Sequence, residues 1–253
     1  METSFIFRRA LQAILPVTLL LSACGKKEDV PAPTPVPDQG KINMFHSAAS
    51  ANLGLKFLVN EAEVANLTYG QNSGYKNVNV GNSTIRVNVA SSGSAVGTQA
   101  VAVEKNKNYS LFAYSSSATQ LTPLLVTDDL TAPSSGKVKI RFVNLAQGAA
   151  TPLKLSTTAA SAVDIAGTET AFGMASGFVE VLPGSYNVAV TSGATSTIVY
   201  NVGEGNGTST SATGTAANKN FEANKIYTVV YRGITGQTVA DELKPRATIF
   251  QNN

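Results

Sequence analysis

The stretch "YGQNSGY" at residues 69–75 returns as "FGMASGF" at 172–178, and it does not return alone. "GKINMFHSA" from Gly40 matches the opening of "GKVKIRFVNLA" from Gly136, and "NKNYSLFAY" from Asn106 matches "NKIYTVVYR" from Asn224. The matches keep their order while the offset grows from 96 to 103 to 118 positions, as it does when insertions fall in loops. One structural unit has been written twice. The natural division is 40–135 for the first copy and 136–253 for the second.

Within each copy apolar residues alternate with polar ones. Ile85, Val87 and Val89 fall on one side of a strand and Thr84, Arg86 and Asn88 on the other; Tyr186, Val188 and Val190 repeat this against Ser185, Asn187 and Ala189. Period two over short runs bounded by Gly, Asn, Ser and Pro predicts half-buried antiparallel strands. About seven are expected in the first copy, near 41–46, 54–59, 75–80, 83–89, 99–104, 108–114 and 121–127. The expected fold class is all-β: two tandem immunoglobulin-like antiparallel β-sandwich domains. The chain lacks the tryptophan of antibody domains, and its single cysteine excludes an internal disulfide.

The amino terminus has a different character. A basic pair, Arg8 and Arg9, precedes an apolar run from Ala10 to about Leu21, too short to span a bilayer and suited to a secretory signal over residues 1–23. "LSAC" ends it, and Leu21-Ser22-Ala23-Cys24 resembles the lipobox of bacterial lipoproteins, which implies lipidation of Cys24, palmitate among the acyl groups. "VPAPTPVPDQG" follows, with proline at every second position early on. Residues 24–39 therefore read as an acylated cysteine and a proline-rich stalk, able to hold a domain roughly 45 Å from the lipid if residues 25–39 are in polyproline II. Gly25 after the cysteine implies, by the same resemblance, an outer-membrane lipoprotein. "KKED" at 26–29 looks like a signal for the outer face, which favours surface exposure over the periplasmic face; a solvated charge run is the alternative.

Little in the chain can carry chemistry. The signal segment holds Arg8, Arg9 and Glu2, so removing it leaves basic and acidic side chains nearly balanced, with no electrostatic case for nucleic acid. His46 is the one histidine and reads as a strand-end residue satisfied by the backbone rather than a metal ligand. No Gly-x-Ser-x-Gly elbow, phosphate loop or dinucleotide fingerprint is present, so no catalytic residue, metal site or cofactor is assigned. Tyr69 and Tyr75 become Phe172 and Phe178 in the second copy, which points to ring burial rather than a working phenol; Ser73 and Ser176 recur as turn formers. Tyr109 and Tyr227, each after Asn-Lys, suit a tyrosine corner. Asp128 and Asp129 read as solvated linker charges, with a calcium-binding pair as the alternative. The Gly/Ser/Thr-rich segment 203–218 reads as a flexible hairpin extension, with Glu204 its single charge.

Aromatic-Gly, Ser-Gly-aromatic, "GSYNVAV", "LLVTDDL" and "VKIRFVNLA" together resemble the domain-of-unknown-function family 4397, often found in tandem on envelope lipoproteins. The resemblance runs over about 40–253 and implies an all-β extracytoplasmic lipoprotein, with no activity to transfer. The expectation is a non-enzymatic envelope lipoprotein presenting two β-sandwich domains for binding, adhesion or a structural role, held to the membrane by its lipid and meeting a protein or polysaccharide ligand. The alternative is a carbohydrate-binding surface lipoprotein of a glycan-acquisition system.

Overall fold

A computed structural model describes residues 37–253 except 51–52, 150–151, 159–161, 205–217 and 237. The expected signal segment, Cys24, the stalk up to residue 36 and most of the 203–218 extension lie outside the described residues.

Alternating sequence produces strand almost throughout. The first half contains β1 (Gln39–Ser47), β2 (Leu55–Val59), β3 (Ala62–Leu67), β4 (Asn72–Asn79), β5 (Gly81–Val89), β6 (Ala95–Val103), β7 (Asn108–Ser115) and β8 (Leu121–Asp128). The second contains β9 (Val138–Gln147), β10 (Leu153–Thr158), β11 (Ala162–Asp164), β12 (Met174–Ala175), β13 (Val179–Val181), β14 (Gly184–Tyr186), β15 (Val188–Ser192), β16 (Thr197–Asn201), β17 (Gly203–Glu204), β18 (Lys219–Phe221), β19 (Ile226–Ile234) and β20 (Arg246–Gln251). All seven expected strands of the first half are present. The eighth, β3, was hidden because its turn is Asn60-Glu61, both residues at positive φ (47° and 70°), without the glycine that usually marks a two-residue hairpin.

Each half closes two sheets on itself. The first half has the orders β4-β1-β7-β8 and β3-β2-β5-β6; the second has β12-β9-β19-β20-β17, with β13 also on β9, facing β11-β10-β15-β16. No strand pairing among the described residues crosses from one half to the other. The expected all-antiparallel pattern fails once in the first half, where β1 runs parallel to β7, and twice in the second, where β9 runs parallel to β19 and the short β17 to β20. Parallel neighbours need a crossover, and for β1–β7 and β9–β19 the chain supplies it by building the other sheet between them. Four strands against four in the first half and six against four in the second, with a parallel pair inside one sheet, is not the four-plus-three order of an immunoglobulin constant domain. The expected single strand at "GSYNVAV" is also divided: β14 pairs with β18, whereas β15 pairs with β10 and β16.

Three apolar clusters fill the spaces between sheets. Ile42, Leu55, Phe57, Ile85, Val87 and Leu111 pack inside the first half. Ile140, Phe142, Leu155, Val190, Tyr227 and Val229 pack inside the second. The third cluster joins the halves: Phe45, Phe112 and Tyr114 meet Val143, Leu145, Val230 and Phe250. Strands β1, β7, β9 and β19 are consequently covered on both faces, and every residue of β19 is buried.

The repeated motif is the edge treatment of β1 and β9. In the first half the β1–β4 register slips between Asn43 and Phe45, and the Met44 N–H stranded there donates to Ser73 Oγ (2.9 Å). In the second half the Phe142 N–H donates to Ser176 Oγ at the same distance. Each serine passes its own proton to the next carbonyl, of Gly74 or Gly177. Gly70 N–H donates to His46 O and Gly173 N–H to Asn144 O, both at 2.8 Å. The latter two glycines sit at positive φ, 87° and 75°. The motif is architecture, as its repetition indicates. Its rings, however, do not stay within their own halves: Phe172 lies edge-on to Tyr114 of the first half at 5.7 Å, and Tyr69 faces Arg232 of the second at 5.3 Å.

Two substitutions test this. Ser73→Ala and Ser176→Ala should each cost about 1–2 kcal/mol in denaturant unfolding, because a strand N–H loses its acceptor. Gly173→Ala should cost more than either, since an added Cβ would lie 2.6 Å from the Tyr114 hydroxyl at a φ that alanine resists.

Candidate functional site

Where the two halves meet, the face of β1, β7 and β8 lies against the face of β9, β19 and β20, and its polar end is a closed hydrogen-bond network. Arg141, on β9, projects from the face opposite the second core and is almost fully buried. Its Nη1 donates to Asp128 Oδ1 of the first half (2.6 Å), its Nη2 to Ser110 Oγ (2.9 Å) and its Nε to Thr228 Oγ1 (2.9 Å). Ser110 donates onward to Asp128 Oδ2 (2.7 Å), as does the Tyr75 hydroxyl (2.6 Å). Thr228 donates to Asn252 Oδ1, and Asn252 Nδ2 returns a proton to the Tyr75 oxygen at 3.1 Å. No buried side-chain nitrogen or oxygen of the circuit is without a partner, the condition under which a buried charge pair is tolerated. The guanidinium also stacks 4.5 Å from the Phe178 ring.

The network has a near two-fold plan. By strand register Ser110 corresponds to Thr228, Asp128 to Asn252, Tyr75 to Phe178 and Asn43 to Arg141. Asn43 and Arg141 differ in charge, as do Asp128 and Asn252, so the junction holds the single ion pair Arg141–Asp128 instead of two.

This places the carboxylates differently from the sequence reading. Asp128 is no solvated linker charge; it is fully buried against Arg141. Asp129 points away to Lys139 Nζ (2.8 Å) and Thr131, which pull its carboxyl down to about 2. Successive strand residues face opposite sides, so the two never converge on a cation. Among the described residues no three His, Cys, Asp or Glu side chains group together as a metal set.

The other candidates are held by backbone. His46 Nε2 lies 2.8 Å from Leu53 O, and Nδ1 accepts from the Ala48 N–H, which fixes the ring as a neutral donor through Nε2. Burial, reinforced by the Arg232 charge and opposed by the Leu53 contact, lowers its pKa to about 4. Tyr109 and Tyr227 accept from the N–H five residues upstream, of Glu104 and Glu222, at 3.2 and 3.4 Å, the geometry expected of a tyrosine corner. Ser73 and Ser176 serve the strand edges already described. Sequence reasoning missed Arg141; the signal was an arginine at the alternate position of the apolar run "VKIRFVNLA".

Beside the network opens a cleft of about 690 Å³. Asn43, Asn72 and Tyr75 form the wall from the first half; Lys219, Tyr227, Gln251 and Asn252 line it from the second. Side-chain amides dominate, and no carboxylate side chain contributes. Such a surface can exchange hydrogen bonds in both directions but offers no nucleophile paired with a base.

Comparison with known proteins gives two likenesses. Residues 36–151 match the family model described as "Domain of unknown function (DUF4397)", a span that takes in the first half and β9, the strand bearing Arg141. The chain is also similar to a solved structure, "The Bacillus anthracis TIE protein", at 14% identity and a TM-score of 0.21, over 78% of this chain and 34% of that one. It thus spans about a third of that protein's length. No curated protein matches the sequence.

Two outcomes follow from the buried groups. Arg141→Met should destabilise the protein by about 3–5 kcal/mol, measured by urea unfolding, because Asp128 is left charged and unpaired; adding Asp128→Leu should recover a large part of the loss. His46 titrates near 4 when folded and near its ordinary 6.5 when unfolded. Its contribution is therefore complete above pH 6.5 and is lost as pH falls from 6.5 towards 4, by on the order of 3 kcal/mol. His46→Asn, the residue found at 144, should flatten that segment of the stability–pH curve.

Proposed function

We propose that this chain is a non-enzymatic cell-envelope lipoprotein, anchored through lipid on Cys24 and presenting its paired β-sandwich body on a proline-rich tether. The observation that carries the proposal is that His46, Asp128, Tyr75 and the two motif serines are already engaged in structure. His46 is locked to Leu53, Asp128 to Arg141, Tyr75 to Asp128 and both motif serines to strand N–H groups. A fold that commits its reactive groups in this way suits binding rather than turnover. The lipobox-like "LSAC" and the alternating prolines after it support an anchored, extended placement, and the "KKED" run favours the outer face of the outer membrane.

Carbohydrate binding is the second reading, and the amide-lined cleft favours it. The absence of tryptophan from the sequence argues for recognition through hydrogen bonds more than through stacking on a broad ring.

The anchor is tested by metabolic labelling with a palmitate analogue. The chain should take up label and partition with membranes, and Cys24→Ser should abolish both; labelling that persists in the variant contradicts the anchor. Protease treatment of intact cells should remove the β-sandwich body, and survival of the full chain would place it on the inner face.

A further inference from the structure

We infer that the cleft between β1, β4 and β20 binds a neutral, hydroxyl-rich ligand, a short stretch of saccharide. The inference deepens the binding reading above and rests on it.

The cleft exists because the two copies diverged at one register position. On the second-half side, Arg141 extends over Phe178 at 4.5 Å and reaches Asp128, which fills that side of the junction. On the first-half side the corresponding residue is Asn43, paired with Tyr75 across β4 as Arg141 is flanked by Phe178. An amide is several atoms shorter than an arginine, and the space of about 690 Å³ opens here, beside Tyr75. A pocket of that size falls within the roughly 300–1,000 Å³ of small-molecule sites.

Its chemistry selects the ligand. Asn43 is 2% exposed, lines the cleft, and its Oδ1 has no protein partner. Leaving a buried acceptor unmet costs about 1–3 kcal/mol. Asn72 and Gln251 add an amide on each wall, while Asn252 beside them is engaged in the junction network. Each amide both donates and accepts, matching a hydroxyl that does the same. The lining has no carboxylate side chain to hold a cation, and its single cation, Lys219, already lies over the Tyr227 ring at 5.5 Å. Phe250, the large apolar residue at the margin, is committed to the junction core against Phe45 at 5.2 Å. Ile249 and the Tyr75 and Tyr227 rings supply apolar surface between the amides.

The test uses the full chain in detergent micelles on an array of neutral oligosaccharides, with titration calorimetry of the best binder. At least one neutral oligosaccharide should bind. Asn43→Arg, which installs the second-half residue, should weaken it by tenfold or more, about 1.4 kcal/mol. Because that change enters a buried position, the rim variants Asn72→Ala and Gln251→Ala serve as well: each should weaken binding about three- to tenfold while the unfolding midpoint stays that of the parent. An empty array, or binding indifferent to all three changes, overturns the site. Binding of uncharged extended peptides in place of sugar, sensitive to the same changes, overturns the ligand class. If the array is empty while Cys24 labelling and surface protease access hold, only the site fails and the envelope-lipoprotein reading stands.

Discussion

One buried ion pair governs the organisation of this protein. Arg141 and Asp128 come from different halves and meet where neither touches water. Removing two charges from solvent costs several kcal/mol apiece, and Coulomb attraction offsets this only when the remaining donors and acceptors are also met. Here Ser110, Thr228, Tyr75 and Asn252 meet them; the first three stand on strands whose opposite faces build the two sandwich cores, and Asn252 directly follows β20. The network therefore ties the internal packing of each half to their mutual placement. A shift of one half against the other would strand charges as well as separate Phe45 and Phe112 from Val230 and Phe250.

The duplication explains both the economy and the asymmetry of this junction. An unmodified repeat would face itself across a two-fold axis, as identical subunits do, and each contact would occur twice. Two buried arginines side by side would repel, and two carboxylates likewise. Divergence to Asn43 and Asn252 leaves one charge of each sign and an amide opposite each. The same divergence that makes the junction electrically tolerable opens the cleft on one side, so the site and the joint share an origin.

Much of this was legible in sequence. The ordered matches pointed to two copies, although strand register sets the first pair of strands 98 positions apart rather than 96; period two pointed to strands, and the exchange of Tyr for Phe within the repeated motif marked it as architecture. What alternation could not reveal was the fate of the second face. Asn43, Ser110, Arg141 and Thr228 occupy positions that period two assigns to solvent, because polar residues on every other position fit a sheet wetted on one side. In the folded chain those positions face another sheet, and the polar residues satisfy each other instead of water. Asp128 was misplaced for the same reason: a pair of aspartates at the end of a strand gives no sign that one meets an arginine and the other a lysine. The parallel β1–β7 pairing was equally hidden, since local pattern carries no information about a partner more than sixty residues away.

The buried polar junction joins the two halves into one body. Differential scanning calorimetry of the full chain tests it most directly, through the ratio of calorimetric to van't Hoff enthalpy. One transition with a ratio near unity is the predicted result. Two resolved transitions, with one half melting while the other keeps its own midpoint, would contradict it.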